Sequence, residues 1–463
     1  MRLSHTRPVA AATFDEPNLV SAAGLVPVVR LARDAGLGAL AGELLTVPSD
    51  KGANAGGKVT ALVAGMVAGA DSIDDMSLLR HGAMRRLFDQ PYAPSTLGSF
   101  LRAFRFGHVR QLDAVASRLL AGLAARTPLL AGIGDGLVCV DVDDTVIEVH
   151  GYAKQGASFG YNKVRGLNTL LATASTSRSA PVIVAQRLRK GSASSARGAR
   201  RLTADALAVV RSLRPPGAAS PVLLRADSAF YGHAAIGTAV RAGAQVSVTV
   251  RMDPKVKAAI AAIGDDAWIP IEYAGAVWDE ETGRWISRAE VAEVPFTAFC
   301  SRKQADQVPG RLVVRRIPDL NAPDGQGSLF QLWRFHAFFT TSGLDTVTAD
   351  KTHRAHAIIE QVNADLKNSA LAHLPSGRFA ANSAWLACAV MAFNLTRAAA
   401  TVAGGGLAKA TTATIRRTLI SVPARISSSA RRLTLHLPAA WPWQQAWTEL
   451  FTRTCGPPQP AAS

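Results

Sequence analysis

The chain has 463 residues, 48% of them hydrophobic and 18% charged, which supplies a large core and, at roughly 150 residues per domain, predicts about three domains. That balance excludes a disordered or collagen-like chain, and four cysteines as scattered as Cys139, Cys300, Cys388 and Cys455 exclude a disulfide scaffold or a C-x-x-C zinc site. The net charge of +17 is laid out unevenly: residues 151–220 carry twelve basic side chains and one acid, 368–463 carry nine and one, and 131–150 carry five acids and no Lys or Arg. Two basic blocks beside acidic or neutral stretches are the footprint of a protein that binds a polyanion such as DNA.

The opening MRLSHTRPVAAATFDEPNLV has no uninterrupted apolar run, and Asp15 and Glu16 sit where a signal peptide would need one, so a cytoplasmic location is expected. Residues 1–130 read as an all-helical domain, with Ser72 and Ser95 or Thr96 as N-caps. Its later helices carry Arg80, Arg85, Arg86, Arg102, Arg105 and Arg110, a set suited to recognising DNA ends. Two apolar stretches, 59–70 and 384–395, fall short of the roughly 20 residues of a membrane span and read as buried core helices.

From 131 to 255 the pattern turns to strands, in LVCVDVDDTVIEVHG, PVIVAQRL, VLLRADSAF and AQVSVTVR, with helices between them. Strands followed by alternating helices and strands predict an α/β layer fold with a mixed sheet. Residues 256–340 show short strands and turns, a β-rich insertion. Helical periodicity returns over 341–402, and 403–463 form a basic C-terminal region.

Three acids stand where a strand-centred metal site would place them. Side chains alternate along a strand, so Asp141 and Asp143 of VDVDDT share one face, and two carboxylates on one face repel unless a cation neutralises them. Asp227 ends the strand VLLRADSAF, and Glu360 lies mid-helix between Ile359 and Val362. Oxygen ligands from two strands and a helix suit Mg²⁺ or Mn²⁺, and a pair of such ions serves phosphodiester chemistry. The basic block Lys154, Lys163 and Arg165, with Tyr161, follows the first acidic strand and is expected along a DNA path, continued by Arg187, Arg189, Lys190, Arg197, Arg200 and Arg201.

VDVDDT (140–145), GASFGYNKVRGLNTLLA (156–172), RADSAFYG (225–232) and HRAHAIIEQVNADLKNSALAHLPSGRFAANSAWL (353–386) together resemble the bacterial insertion-sequence transposases of the DDE type, transposase DDE domain group 1, and among them the branch catalogued as number 1380. The resemblance covers nearly the whole chain. It implies a ribonuclease-H-like catalytic core that cleaves DNA and transfers the strand. Its D-x-T pattern selects Asp143, with Thr145 two residues on, as the first metal ligand, Asp141 competing; Asp227 and Glu360 follow 84 and 133 residues later. The family's tyrosine, arginine and lysine around the glutamate correspond here to His353, His356 and Lys367, with Arg354 as a substitute for the arginine. The histidines are read as donors to a DNA phosphate rather than as a metal pair. Related enzymes stack a flipped base on an aromatic of the insertion, which makes Trp278, Trp285 and Trp333 candidates. The implied partners are the element's own terminal repeats and target DNA, double-stranded, bound by a homodimer assembled on DNA ends, with no nucleotide cofactor and no covalent protein intermediate. A nuclease that cuts without joining and a DNA-binding protein that has lost catalysis remain the alternatives.

Overall fold

The computed structural model describes residues 9, 11–48, 50–88, 91–151, 153–272, 289–317, 333–429 and 432–456, together with the backbone of 278–279, 284–285, 288 and 318. The residues expected to be all-helical open instead on a short strand, Leu19–Val20, paired antiparallel with Arg425 and Ala424, and then give five helices of eight residues or more: α1 (Leu25–Asp34), α2 (Leu37–Leu44), α3 (Ala55–Ala68), α4 (Pro94–Arg102) and α5 (Phe106–Ala124). α1 buries Leu25, Val28, Leu31 and Ala32, the inward stripe of an amphipathic helix. α3 starts where Asn54 accepts from the Gly57 N–H at 3.1 Å and ends at Gly69, whose φ of 116° suits the left-handed residue that closes a helix. Ser72 Oγ accepts from the Asp75 N–H at 3.3 Å, but the turn that follows, Asp74–Leu79, is a short 3-10 helix with Ile73 and not Ser72 at its N-cap. α4 starts at Pro94 itself, because the fixed φ of proline fits the first helical position, and Ser95 and Thr96 lie inside it.

A ten-stranded mixed sheet follows. Its strands are β1 (Val138–Glu148), β2 (Ser158–Phe159), β3 (Arg165–Ser175), β4 (Val182–Lys190), β5 (Val222–Ala226), β6 (Gln245–Thr249), β7 (Ile269–Glu272), β8 (Arg288–Ala298), β9 (Val308–Pro318) and β10 (Trp333–Thr340). The order is β2-β3-β1-β5-β6-β10-β9-β8-β7, with β4 on β3. β1 runs antiparallel to β3 and parallel to β5, and β6 is parallel to β5. α6 (Ala199–Leu213) and α7 (His233–Arg241) supply the crossovers around β5.

The stretch expected as a β-rich insertion is continuous with this sheet. β10 pairs antiparallel with β6, Phe338 opposite Thr249 and Thr340 opposite Ser247, and β9, β8 and β7 add outward from it. The hydrogen-bonding edge of β6 is therefore filled by the chain's own later strands, which removes an open edge.

Three later helices bear on the site: α8 (Thr346–Arg354), α9 (Ile358–Lys367) and α10 (Phe379–Ala403). α10 contains residues 384–395 and is long and apolar enough to cross a membrane, yet nearly all of it is buried against protein. It packs on α3, α4 and α5 and also on β4. There the Asn394 amide accepts from the Ile183 N–H at 2.9 Å and donates to the Ile183 carbonyl at 2.8 Å, so a side chain satisfies a backbone pair that no strand reaches. The helical start of the chain and the sheet thus share one hydrophobic cluster running from Val20 to Leu450.

Candidate active site

β1 and β5 run parallel in a register that sets Asp141 beside Arg225 and Val142 beside Ala226. Asp143 is the next residue of β1 and Asp227 the residue that follows the end of β5, so the register carries the two acids toward one another. β5 ends at Ala226, and Asp227 turns the chain by accepting from the Ala229 N–H at 3.0 Å, so the cap role and the approach to Asp143 coincide. Burial pushes the Asp143 carboxyl up to about 6, and the Asp227 and Asp144 charges push the same way, against the pull of His356. Asp227 is raised as well, again by burial first.

Asp141, the competing ligand, is already engaged. It is fully buried, and Arg225 grips it through Nε and Nη2, each at 2.7 Å. His356 Nδ1 lies 2.9 Å from Asp141 Oδ1, and Arg225 Nη1 donates to the Thr352 carbonyl at 2.6 Å. Both oxygens of Asp141 are spent on a buried ion pair, which corrects its reading as a cation ligand. Asp144, on the opposite face of β1, pairs with Arg189 at 2.8 Å.

α9 lies against β1 with Glu360, Asn363 and Lys367 on one face, spaced three and four residues apart. Asn363 Nδ2 donates to Asp143 Oδ2 at 2.8 Å, and Asn363 Oδ1 is buried without a hydrogen-bond partner among the described residues. Lys367 is half-buried; burial lowers its pKa, and the charge of Asp143 acts to raise it. Glu360 is exposed in the first turn of α9. The apolar neighbours that make its sequence setting look buried, Ile359 and Val362, point inward while it points out. The structure therefore brings Asp143 and Asp227 together, and among the described residues no three His, Cys, Asp or Glu side chains close into a metal-holding group. The chemistry of the pair still fits a hard cation: two adjacent carboxylates with raised pKa values beside an orphaned amide oxygen. Sequence reasoning missed Asn363; its i+3 spacing from Glu360 was the available signal.

Several residues expected to meet DNA are committed elsewhere. His353 is half-buried, Nδ1 2.9 Å from Ser247 Oγ, Nε2 3.0 Å from Thr249 Oγ1, and its ring stacked on Phe338 at 4.0 Å. Burial lowers its pKa to about 3, so it is a neutral histidine and no phosphate donor. Arg354 pairs with Asp350 at 2.8 Å one turn back, which takes it out of the place of the missing arginine. Arg189 is buried between Asp144, Asn168 and the carbonyls of Ser194, Ser195 and Arg197, where it ties down the loop after β4. Lys154 donates to the Leu374 carbonyl, and Arg165 donates to the Gly151 carbonyl at 2.7 Å, so both close loops. Arg187 and Arg110 share Asp113 and Asp205, and Arg201 reaches Asp205 at 3.1 Å. Trp333 covers one face of the Arg316 guanidinium, 4.4 Å from its ring centre, with Trp268 at 4.3 Å. The side chains of Trp278 and Trp285 lie outside the described residues.

What stays exposed is the hairpin tip between β2 and β3. Gly160 and Val164 close it, the Gly160 N–H donating to the Val164 carbonyl at 3.0 Å, and Lys163 takes a left-handed φ of 59°. Tyr161, Lys163 and, at the end of β4, Lys190 project from this edge, Tyr161 with 84% of its surface free. Burial first, and then the charges of Asp144, Asp143 and Asp227, raise the Tyr161 phenol.

A family model described as transposase DDE domain group 1 matches residues 2–455. No curated protein matches the chain.

Proposed function

The chain belongs to the transposase DDE domain group 1 family, whose model spans nearly all of it, and from that premise we propose that it cleaves the ends of an insertion sequence and joins them to target DNA. One observation carries the reading: Asp143 follows Val142 and Asp227 follows Ala226, the last paired residues of two parallel strands, and neither acid accepts a hydrogen bond from an Arg or Lys among the described residues, while the neighbouring Asp141 is gripped by Arg225 and His356. The strand order β4-β3-β1-β5-β6, three antiparallel strands followed by two parallel to β1, supports a ribonuclease-H-like core. The wider resemblance supports the branch numbered 1380, and the DDE family uses divalent metal ions.

In this reading Asp143, Asp227 and Glu360 are the acidic ligands of Mg²⁺ or Mn²⁺. A divalent cation held there neutralises charge on the phosphodiester and lowers the pKa of an attacking water or 3′-hydroxyl. The protein's part is to place these acids together; burial raises the pKa values of Asp143 and Asp227, so their ionised form is favoured once a cation is bound. The Arg225–Asp141 pair fixes the floor beneath them, and His356, anchored through Nδ1, leaves Nε2 to meet a phosphate. Lys367, Lys163 and Lys190 attract the DNA backbone, and Tyr161 offers a flat face beside it. Basic side chains on α4 and α5 serve the terminal repeats, and the working form is a homodimer assembled on paired ends in the cytoplasm.

The test uses the full chain, Mg²⁺ or Mn²⁺, and a duplex carrying the DNA that flanks the gene. Asp143→Asn and Asp227→Asn are expected to lower cleavage on the order of a thousandfold, as loss of a charge-stabilising group does, with duplex binding retained. Cleavage at the wild-type rate by either variant overturns the assignment of the acids. Cutting without any joined product makes the protein a nuclease.

A further inference from the structure

Asn363 is 6% exposed and stands one turn after Glu360 on the face of α9 that meets β1. Its amide is half satisfied. Nδ2 donates to Asp143 Oδ2 at 2.8 Å, while Oδ1, on the same amide carbon, has no hydrogen-bond partner among the described residues and no access to solvent. Buried carbonyl oxygens almost always find a donor, so an orphan needs an explanation in what else binds there. Turning the amide over gives no relief, since it would set Oδ1 against a carboxylate oxygen, acceptor against acceptor. The amide contacts Asp143, which comes one step after the paired Val142, as Asp227 comes one step after its partner Ala226. A buried, unpartnered amide oxygen on a side chain that already contacts a carboxylate is what a hard cation recruits, since neutral amide oxygens belong to such ligand sets alongside carboxylates.

We propose that Asn363 Oδ1 is an oxygen ligand of the cation that Asp143 and Asp227 hold, so that α9 contributes Asn363 as well as Glu360. The inference rests on the reading of the acid pair as a cation site. It gives the two helix residues different duties: Asn363, buried, belongs to the resting cation site, and Glu360, exposed, is free to engage once DNA is present.

Mn²⁺ binding to the full-length protein without DNA, followed by the paramagnetic resonance signal of the free ion, tests this without reference to catalysis. Asn363→Ala is expected to weaken Mn²⁺ binding at least tenfold, the scale seen when a group supporting a metal site is removed. Asn363→Asp is expected to bind Mn²⁺ as tightly as the wild type or tighter, and to gain thermal stability on adding Mn²⁺. An amide that only steers Asp143 predicts the reverse, because a carboxylate at 363 would repel Asp143. Asn363→Asp also keeps the question open to measurement should Asn363→Ala fail to fold. Wild-type Mn²⁺ affinity in Asn363→Ala, or weakened affinity in Asn363→Asp, overturns the proposal while leaving the acid pair intact. Wild-type affinity in Asp143→Asn and Asp227→Asn overturns the acid pair itself, and this proposal with it.

Discussion

Asp141 and Asp143 stand two residues apart on one face of one strand, and their surroundings divide them completely. Asp141 is sealed from solvent and held by Arg225 on both oxygens and by His356 on one. Asp143 has an asparagine amide and, along the sheet, a second carboxylate. The first is a structural ion pair, whose removal exposes a buried countercharge. The second accepts no hydrogen bond from an Arg or Lys among the described residues and feels His356 and Lys367 only through their charge, and a carboxylate so placed is where a cation or a substrate completes the site. The sequence VDVDDT cannot separate the two, because the partners that do so arrive from residues 225, 356 and 363.

The sharpest way to break this comparison is to remove each acid and measure stability. Asp141→Ala leaves the Arg225 guanidinium, 3% exposed, without its carboxylate, and breaking one partner of a buried pair costs about 3–5 kcal/mol. Urea unfolding of the full chain should show that loss, and a change under about 1 kcal/mol would mean the pair does not hold the floor of the site. Asp143→Asn should lose nothing in the same experiment, since it keeps the shape of the side chain and removes a like charge.

The effect of pH sharpens the contrast at a smaller scale. Asp143 is raised to about 6, above its ordinary 3.8, so the folded state holds its proton more tightly than the unfolded chain. For such a group stability is greatest below the unfolded value and falls as pH rises through the window from about 4 to about 6, after which the penalty is constant. Asp113 behaves the same way, raised to about 6 by burial and only partly relieved by Arg187 and Arg110. The wild type should therefore lose stability between those pH values, and Asp143→Asn should lose less of it, the difference reaching roughly 1–3 kcal/mol at pH 7 without metal. Parallel curves for the two proteins would show that Asp143 is not held protonated. Adding Mn²⁺ at pH 7 should narrow the gap, because the ion stabilises the wild type in proportion to its binding.

The contrast between the two acids also explains what was legible in the chain and what was not. Alternation over 137–149 placed β1 and its inward acids, because a strand's period is local. Helical periodicity likewise placed α3, α9 and α10. Continuity of the β-rich segment with the main sheet was hidden, since it depends on Phe338 meeting Thr249 across about ninety residues of chain. His353 looked like a surface donor because Ser247, Thr249 and Phe338, which make it a neutral residue, are distant in sequence. Counting charge along 151–220 correctly marked a basic segment. It could not show that Asp113 and Asp205 tie up Arg187, or that Asp144 ties up Arg189.

The smallest expected effect tests whether the rule drawn from the acids holds for the bases. Lys163 and Lys190 project from the hairpin edge, whereas Arg189, in the same basic segment and next to Lys190, is buried against Asp144. A phosphate contact releases about one counterion, so Lys163→Ala with Lys190→Ala should flatten the salt dependence of DNA binding by roughly two units of slope, about equally for all sequences. Arg189→Ala should leave that slope unchanged and lower stability instead, because it strands Asp144 and frees the loop carbonyls it gathers. Binding measured from low to physiological salt for the three proteins, beside their unfolding curves, separates the two kinds of cation. A slope unchanged in the lysine variant would move the DNA path away from the hairpin, and a slope reduced in Arg189→Ala would mean that burial in the free protein does not predict which charges DNA recruits.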